Sequence, residues 1–273
     1  MYSESVCDHT AWIASLTGAS ITLVHVLGRR DVSSEPTNLS GSIGLGARSE
    51  LLEELADLDA QKARLGQKRG RAILEDGKAR IEAMGATDVR TRLRHGEMVE
   101  TVQEFEPDAR LIVIGKRGEA ADFDKGHLGS NLERVVRSTN KLVFVASRKF
   151  QPIERVLVAF DGGASALQAV EFMARSPVFE GLAIHLLAAG DARTTLAHDL
   201  EGASALLNSA GRNTSHEIVA GQPESVIASK VATENYDLLL MGAYGHSRIR
   251  SLIIGSTTTQ MLRACKIPVL LFR

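Results

Sequence analysis

Leu238-Leu239-Leu240-Met241-Gly242-Ala243-Tyr244-Gly245, followed after nine residues by Gly255-Ser256-Thr257-Thr258, is the stretch that decides the fold. A short run of large apolar residues without polar alternation predicts a strand buried on both faces. Such strands belong to parallel sheets covered by helices. Gly242 and Gly245 let the chain turn sharply at the strand end and let the backbone approach a ligand closely. Gly255-Ser256 predicts a helix start, where the first N–H groups lack partners within the helix and the dipole favours an anion. Hydroxyls of Ser256, Thr257 and Thr258 add donors for phosphate oxygens or for a magnesium ion bound through them.

Working outward, the same kind of apolar run recurs at 21–27, 110–114, 142–146, 156–160, 183–187 and 269–272. Helical patterns lie between them. Ser49 to Leu65 places Leu51, Leu52, Leu55, Leu58 and Leu65 at helical spacing. A helix is expected to run from Pro223 through Thr233, another from Ser256 to Ala264, and one from Ser3 to about Leu16. Strand-helix-strand alternation with short links predicts right-handed βαβ units.

The two halves repeat each other. Leu111-Ile-Val-Ile-Gly115-Lys-Arg-Gly118 leads to Gly129-Ser130, a helix and Leu142-Val-Phe-Val, in step with the stretch quoted first. Arg94-His95-Gly96-Glu97 matches Val219-Ala220-Gly221-Gln222. The boundary falls near Lys149 to Ile153, giving repeats 1–149 and 150–273. One element breaks the symmetry. The second half opens with the strand Arg155 to Phe160, then Asp161-Gly162-Gly163, and the first half has no counterpart. An unfilled slot in a parallel sheet leaves ladder groups unpaired, which raises the expectation of a truncated start. The Ser/Gly-rich stretch Gly28 to Gly46 reads as a mobile loop at a strand's C-terminal edge, where ligands bind in open α/β sheets.

Composition narrows the function classes. A formal net charge of −1 provides no global field for nucleic acid or anionic lipid, and 4% aromatic residues argue against stacking on single-stranded bases. Two cysteines far apart make neither a disulfide framework nor a zinc site and suit a reducing compartment. No run is long enough to span a bilayer. A cytoplasmic protein without nucleic-acid or membrane partners is expected. There is no Gly-x-x-x-x-Gly-Lys-Ser/Thr loop, no kinase motif set, no Gly-x-Ser-x-Gly elbow and no early Gly-x-Gly-x-x-Gly. No catalytic residue is assigned.

Each feature alone has an ordinary explanation. Gly-x-x-Gly is a common loop, Gly255-Ser256 a helix cap, and Asp161 a turn residue. His25 and His185, at matching strand positions, read as hydrogen-bonded core residues. His198, Asp199 and Glu201 fit no standard metal spacing, and Gln61 to Arg71 reads as a solvated helix face. It is the joint occurrence at strand ends and helix starts that points to a nucleotide. Asp161 could reach ribose hydroxyls or, through a metal, the phosphates, with the base read near Ala159 and the end of the 183–187 strand.

Gly242-x2-Gly245-x9-Gly255-Ser256, with its preceding strand and the closing strand Ile267-Pro268-Val269-Leu270-Leu271, resembles the nucleotide-binding pattern of the universal stress protein family. The whole chain looks like a tandem of two such proteins. The resemblance implies an α/β fold: two open parallel-sheet domains, Rossmann-like and related to the adenine-nucleotide alpha hydrolases, the first lacking its opening strand. It implies ATP or AMP as ligand, with magnesium held through the phosphates, and a role in stress survival. Carried over by position, it implicates Ala159, Phe160, Asp161, Leu187, Met241, Gly242, Gly245, Gly255, Ser256, Thr257 and Thr258. A weaker second site would comprise Val26, Gly115, Gly118, Gly129, Ser130 and Asn131. There ten residues separate Gly118 from Gly129, and the insert Glu119 to Asp124 is acidic, partly offset by Lys116, Arg117 and Lys125. The second half is therefore expected to bind nucleotide and the first weakly or not at all. The two halves should pack as a pseudo-symmetric pair through their final strands, with a homodimer as a further option. The leading reading is a nucleotide-binding regulatory switch. Its rivals are a slow ATPase or autophosphorylating enzyme using Ser256 or a neighbouring threonine, and an interaction protein with a vestigial site.

Overall fold

In the computed structural model, which describes residues 2–28, 45–116, 130–191, 194–243 and 255–273, every apolar run named above forms a strand. The first half runs α1 (Tyr2–Thr17), β1 (Ile21–Leu27), α2 (Leu45–Ala83), β2 (Val89–His95), α3 (Met98–Phe105), β3 (Leu111–Gly115), α4 (Ser130–Ser138) and β4 (Leu142–Ala146). The second runs β5 (Arg155–Ala159), α5 (Ala164–Arg175), β6 (Ala183–Ala189), α6 (Thr194–Ser209), β7 (Asn213–Val219), α7 (Pro223–Thr233), β8 (Leu238–Gly242), α8 (Ser256–Ala264) and β9 (Val269–Phe272).

One sheet of seven strands crosses both halves in the order β3-β4-β9-β8-β5-β6-β7. Its pairs are parallel except one: β4 meets β9 antiparallel, with Val143 opposite Leu271, Phe144 opposite Leu270 and Val145 opposite Val269. The final strands of the two repeats thus form the seam, as expected of two similar folds related by an approximate twofold axis. Both faces of the second repeat are covered, which is why its central strands are continuously apolar. Ala169, Val170 and Met173 of α5 and Leu200 and Leu207 of α6 pack on one face. Val226 and Ile227 of α7 and Met261 and Leu262 of α8 pack on the other.

The first repeat is split. β1 and β2 pair with each other in a separate two-stranded sheet, and among the described residues no strand stands between β1 and β3. In the second repeat β5 fills that place, between β6 and β8. α1 bridges the interruption. Its Cys7, Ala11 and Ala14, at helical spacing, pack on Ile21, Val89 and Ile81. Its Val6, Trp12 and Ile13 pack against the main core.

α2 is longer than its leucine spacing predicts. Leu52, Leu58 and Leu65 stand exposed rather than forming a buried stripe. The docked part lies further on, at Gly70, Leu74, Gly77 and Ile81, one face of a helix. The two glycines allow a close approach to β1 and β2. A Cβ on Gly70 would lie 2.7 Å from a Leu93 methyl, and one on Gly77 would lie 2.8 Å from a Leu23 methyl. The loop reading of Gly28 to Gly46 falls mostly on residues outside those described; Leu45 and Gly46 belong to α2. Among the described residues, no helix is long and apolar enough to cross a membrane.

Candidate nucleotide site

The second repeat's strands run β5, β6, β7 towards one edge, then return to β8 and β9 on the other side of β5. The connections after β5 and β8 therefore leave in opposite directions, and a crevice opens at the C-terminal ends of these two neighbours. Ala159, Phe160 and Asp161 end β5, and Met241 and Gly242 end β8. Phe160 is buried, and its N–H donates to the Leu187 carbonyl at 2.9 Å, so the ladder with β6 continues to the mouth of the crevice. Leu187 and Met241 are buried and can offer backbone rather than side chain.

Asp161 is exposed. Its Oδ1 accepts the Gly163 N–H at 2.9 Å, and Gly162 between them has φ +72, a left-handed turn that glycine adopts without strain. The turn fixes the carboxylate at the lip of the crevice and leads into α5 at Ala164.

On the opposite lip, the Ala243 N–H donates to the Phe272 carbonyl, and the Gly255 N–H returns to the Ala243 carbonyl at 3.3 Å. α8 starts at Ser256 with no side-chain cap. Among the described residues, no acceptor is seen for its first backbone N–H groups, which have no partner within the helix. Ser256 is exposed and Thr257 half-buried. Thr258 behaves differently: it is buried, and its hydroxyl donates to the Gly242 carbonyl at 3.0 Å. It ties α8 to the end of β8 and stands behind the turn instead of facing the crevice. Gly245, with His246 and Ser247, lies outside the described residues.

In the first repeat, Gly115 ends β3 and Val26, half-buried, lies near the end of β1. Ser130 and Asn131 open α4, with Asn131 exposed. Gly118, Gly129, Arg117, Lys125 and the acidic insert lie outside the described residues. Lys116 is the described member of the basic group expected to offset the acidic insert. It is buried, and its ammonium crosses the seam to donate to the carbonyls of Cys265 and, at 3.5 Å, Ile267. A lysine beside an apolar interface needs carbonyl partners, and the end of α8 supplies them.

A polar network on the β6–β7 edge was not legible as a unit in the sequence. His185 Nδ1 lies 2.8 Å from Ser215 Oγ, and its Nε2 2.9 Å from Glu217. Lys230 pairs with Glu217 and, at 2.5 Å, with Glu234, while Tyr236 donates to Glu234. Burial pushes the Glu217 carboxyl up, but hydrogen bonds from Lys230 and His185 outweigh it and hold the group below its ordinary value. The hydrogen bonds to Glu217 and Glu234 raise Lys230 above its own. The signal available was His185 facing an alternating Ser215-x-Glu217, with Lys230 and Glu234 one helical turn apart. The network ties α7 to the sheet edge. Both sequence cysteines are buried free thiols, raised by desolvation.

The universal stress protein family model matches residues 2–147 and again residues 180–273. The chain belongs to the universal stress protein family. The first match spans the first repeat up to the end of β4, while the second begins just before β6, so that β5, Asp161 and α5 lie between the matched segments. A universal stress protein of Synechocystis, Slr1230, is 38% identical over 275 residues, covering 100% of this chain and 96% of that protein. Among solved structures, a universal stress protein from Archaeoglobus fulgidus superposes with a TM-score of 0.68 at 22% identity, covering 98% of this chain and 91% of that one. A functionally unknown protein, PA1789, from Pseudomonas aeruginosa gives 0.56 at 14% identity, covering 94% of each. At these identities the structural likeness establishes the fold.

Proposed function

We propose that the second repeat of this universal stress protein binds an adenine nucleotide, ATP or AMP, and that occupancy sets the conformation of a stress-response regulatory protein with little or no turnover. The observation that carries the reading is the convergence of an exposed carboxylate, Asp161, and an uncapped helix start, Gly255-Ser256, on the crevice between β5 and β8. We take residues 1–149 and 150–273 as the two repeats. In the second, the α8 N–H groups with Ser256 and Thr257 would hold the phosphates, Gly242 and Gly245 would allow close backbone approach, and Asp161 would accept from ribose hydroxyls. Backbone groups of Ala159, Leu187 and Met241 would read the base. Thr258 serves the site by holding the turn. A magnesium ion would supply neutralising charge to the phosphates. The first repeat would bind weakly or not at all, because its acidic insert, Glu119 to Asp124, would repel phosphate.

Calorimetric titration with ATP and with AMP tests this. One nucleotide per chain is expected, with Asp161→Ala weakening binding about tenfold, the scale of a hydrogen bond to a charged group. No binding of either nucleotide overturns the reading. Two equally tight sites per chain overturn the asymmetry. Steady-state phosphate release abolished by Asp161→Ala would replace the switch with an ATPase.

A further inference from the structure

The two glycine-turn helices end in matching ways. α4 is followed by Thr139, whose N–H closes on Val135, and α8 by Cys265, whose N–H closes on Met261. In each case the carbonyl of that following residue accepts from a cation of the opposite repeat. Lys116, just beyond β3, donates to Cys265. Arg273, just beyond β9, donates to Thr139 at 2.7 Å. Equivalent positions do not supply the two cations: the counterpart of Lys116 is Ala243, and that of Arg273 is Ser147. Each repeat thus carries a basic residue that reaches across the β4–β9 seam to the C-terminus of its neighbour's helix.

A cation at a helix C-terminus favours the aligned dipole and satisfies carbonyls that lack partners within the helix. For a helix of nine residues this matters, because such a length has little stability of its own. The N-terminus of α8 is the end that faces the crevice. We infer that Lys116 is a positioning residue for the anion site of the other repeat, holding α8 from its far end. This inference rests on the nucleotide reading for its ligand, but the cap itself can be measured without one. The structure then links repeat pairing to nucleotide affinity through a single helix: loosening the seam at Lys116 frays α8, and ordering α8 around phosphates tightens the seam.

The test compares Lys116→Met, Lys116→Arg and Arg273→Met in the full chain. Amide hydrogen exchange, read without nucleotide, should show faster exchange in α8 for Lys116→Met and in α4 for Arg273→Met. Calorimetry should show Lys116→Met weakening ATP binding about two- to fivefold, the scale of a charge at a helix end. Lys116→Arg should restore most of the affinity, and Arg273→Met should leave it unchanged. Wild-type exchange in α8 of Lys116→Met overturns the inference. So does equal weakening of ATP by Lys116→Met and Arg273→Met, which would mark a general loosening of the seam. If the wild-type chain binds no ATP, the nucleotide reading fails, and α8 exchange alone decides whether Lys116 holds the helix.

Discussion

Replacing Phe144 by alanine tests the seam at its largest buried side chain. Phe144 sits on β4 opposite Leu270 of β9 and is 2% exposed, in one core cluster with Leu270 and Phe272 of the second repeat. Its ring also faces His9 of α1 at 5.2 Å between centroids. Truncating a buried phenylalanine costs about 3–5 kcal/mol, through lost burial and the cavity left behind. Here one term opposes the loss. His9 Nε2 is buried without a hydrogen-bond partner, and water entering the new cavity could satisfy it, recovering about 1 kcal/mol. The expected net loss is therefore near the lower end, about 3 kcal/mol. Equilibrium urea unfolding followed by tryptophan fluorescence and circular dichroism measures it, with a lowered midpoint and an unchanged slope. Because Phe144 belongs to a cluster shared by both repeats, both signals should shift together. A loss below about 1 kcal/mol, or a shift confined to one of two separate transitions, would refute a shared core at the seam.

His9 makes a prediction in pH. Burial holds its pKa below the ordinary 6.5, with the Ser5 carbonyl and Asp8 opposing. The unfolded chain takes up the proton as pH falls through 6.5 while the folded chain resists. The contribution is therefore full above that value and is lost as pH drops towards the folded pKa. His9→Leu should flatten the dependence of the urea midpoint between about pH 7 and about pH 5; an unchanged slope would assign the acid sensitivity elsewhere. At the α2–β1 contact, Gly77→Val places a branched side chain where a Cβ would already meet a Leu23 methyl at 2.8 Å and Cys7 Sγ at 3.3 Å. Thermal unfolding should show a loss of about 1–3 kcal/mol from overpacking, and wild-type stability in that variant would mean that α2 does not dock there.

What the sequence revealed follows from how each residue is buried. Strands covered on both faces are continuous apolar runs, so β4 and β9 could be bounded to the residue. β2 and β7 lie at sheet edges, with alternating and largely exposed residues such as Arg90, Arg92, Ser215 and His216, and no apolar run marks them. The leucines of α2 marked a helix but not its docked face, because periodicity gives a face without saying whether anything covers it. Around the crevice, the strand end before Asp161 and the helix start at Ser256 were legible because such places have local signatures. The inward turn of Thr258 and the reach of Lys116 to Cys265 depend on tertiary contacts 16 and 149 residues apart, which local spacing does not encode.

The antiparallel pairing of β4 with β9 joins two copies of one fold inside one polypeptide. In an assembly of identical subunits every substitution appears twice, on both sides of the axis, and must be tolerated in both places. Covalent duplication lifts that restriction. Lysine at 116 can answer to alanine at 243, and arginine at 273 to serine at 147. The junction also forms at the same strength however dilute the protein, because its partner is always tethered nearby. Two like folds held together in this way are free to carry different residues at matching positions.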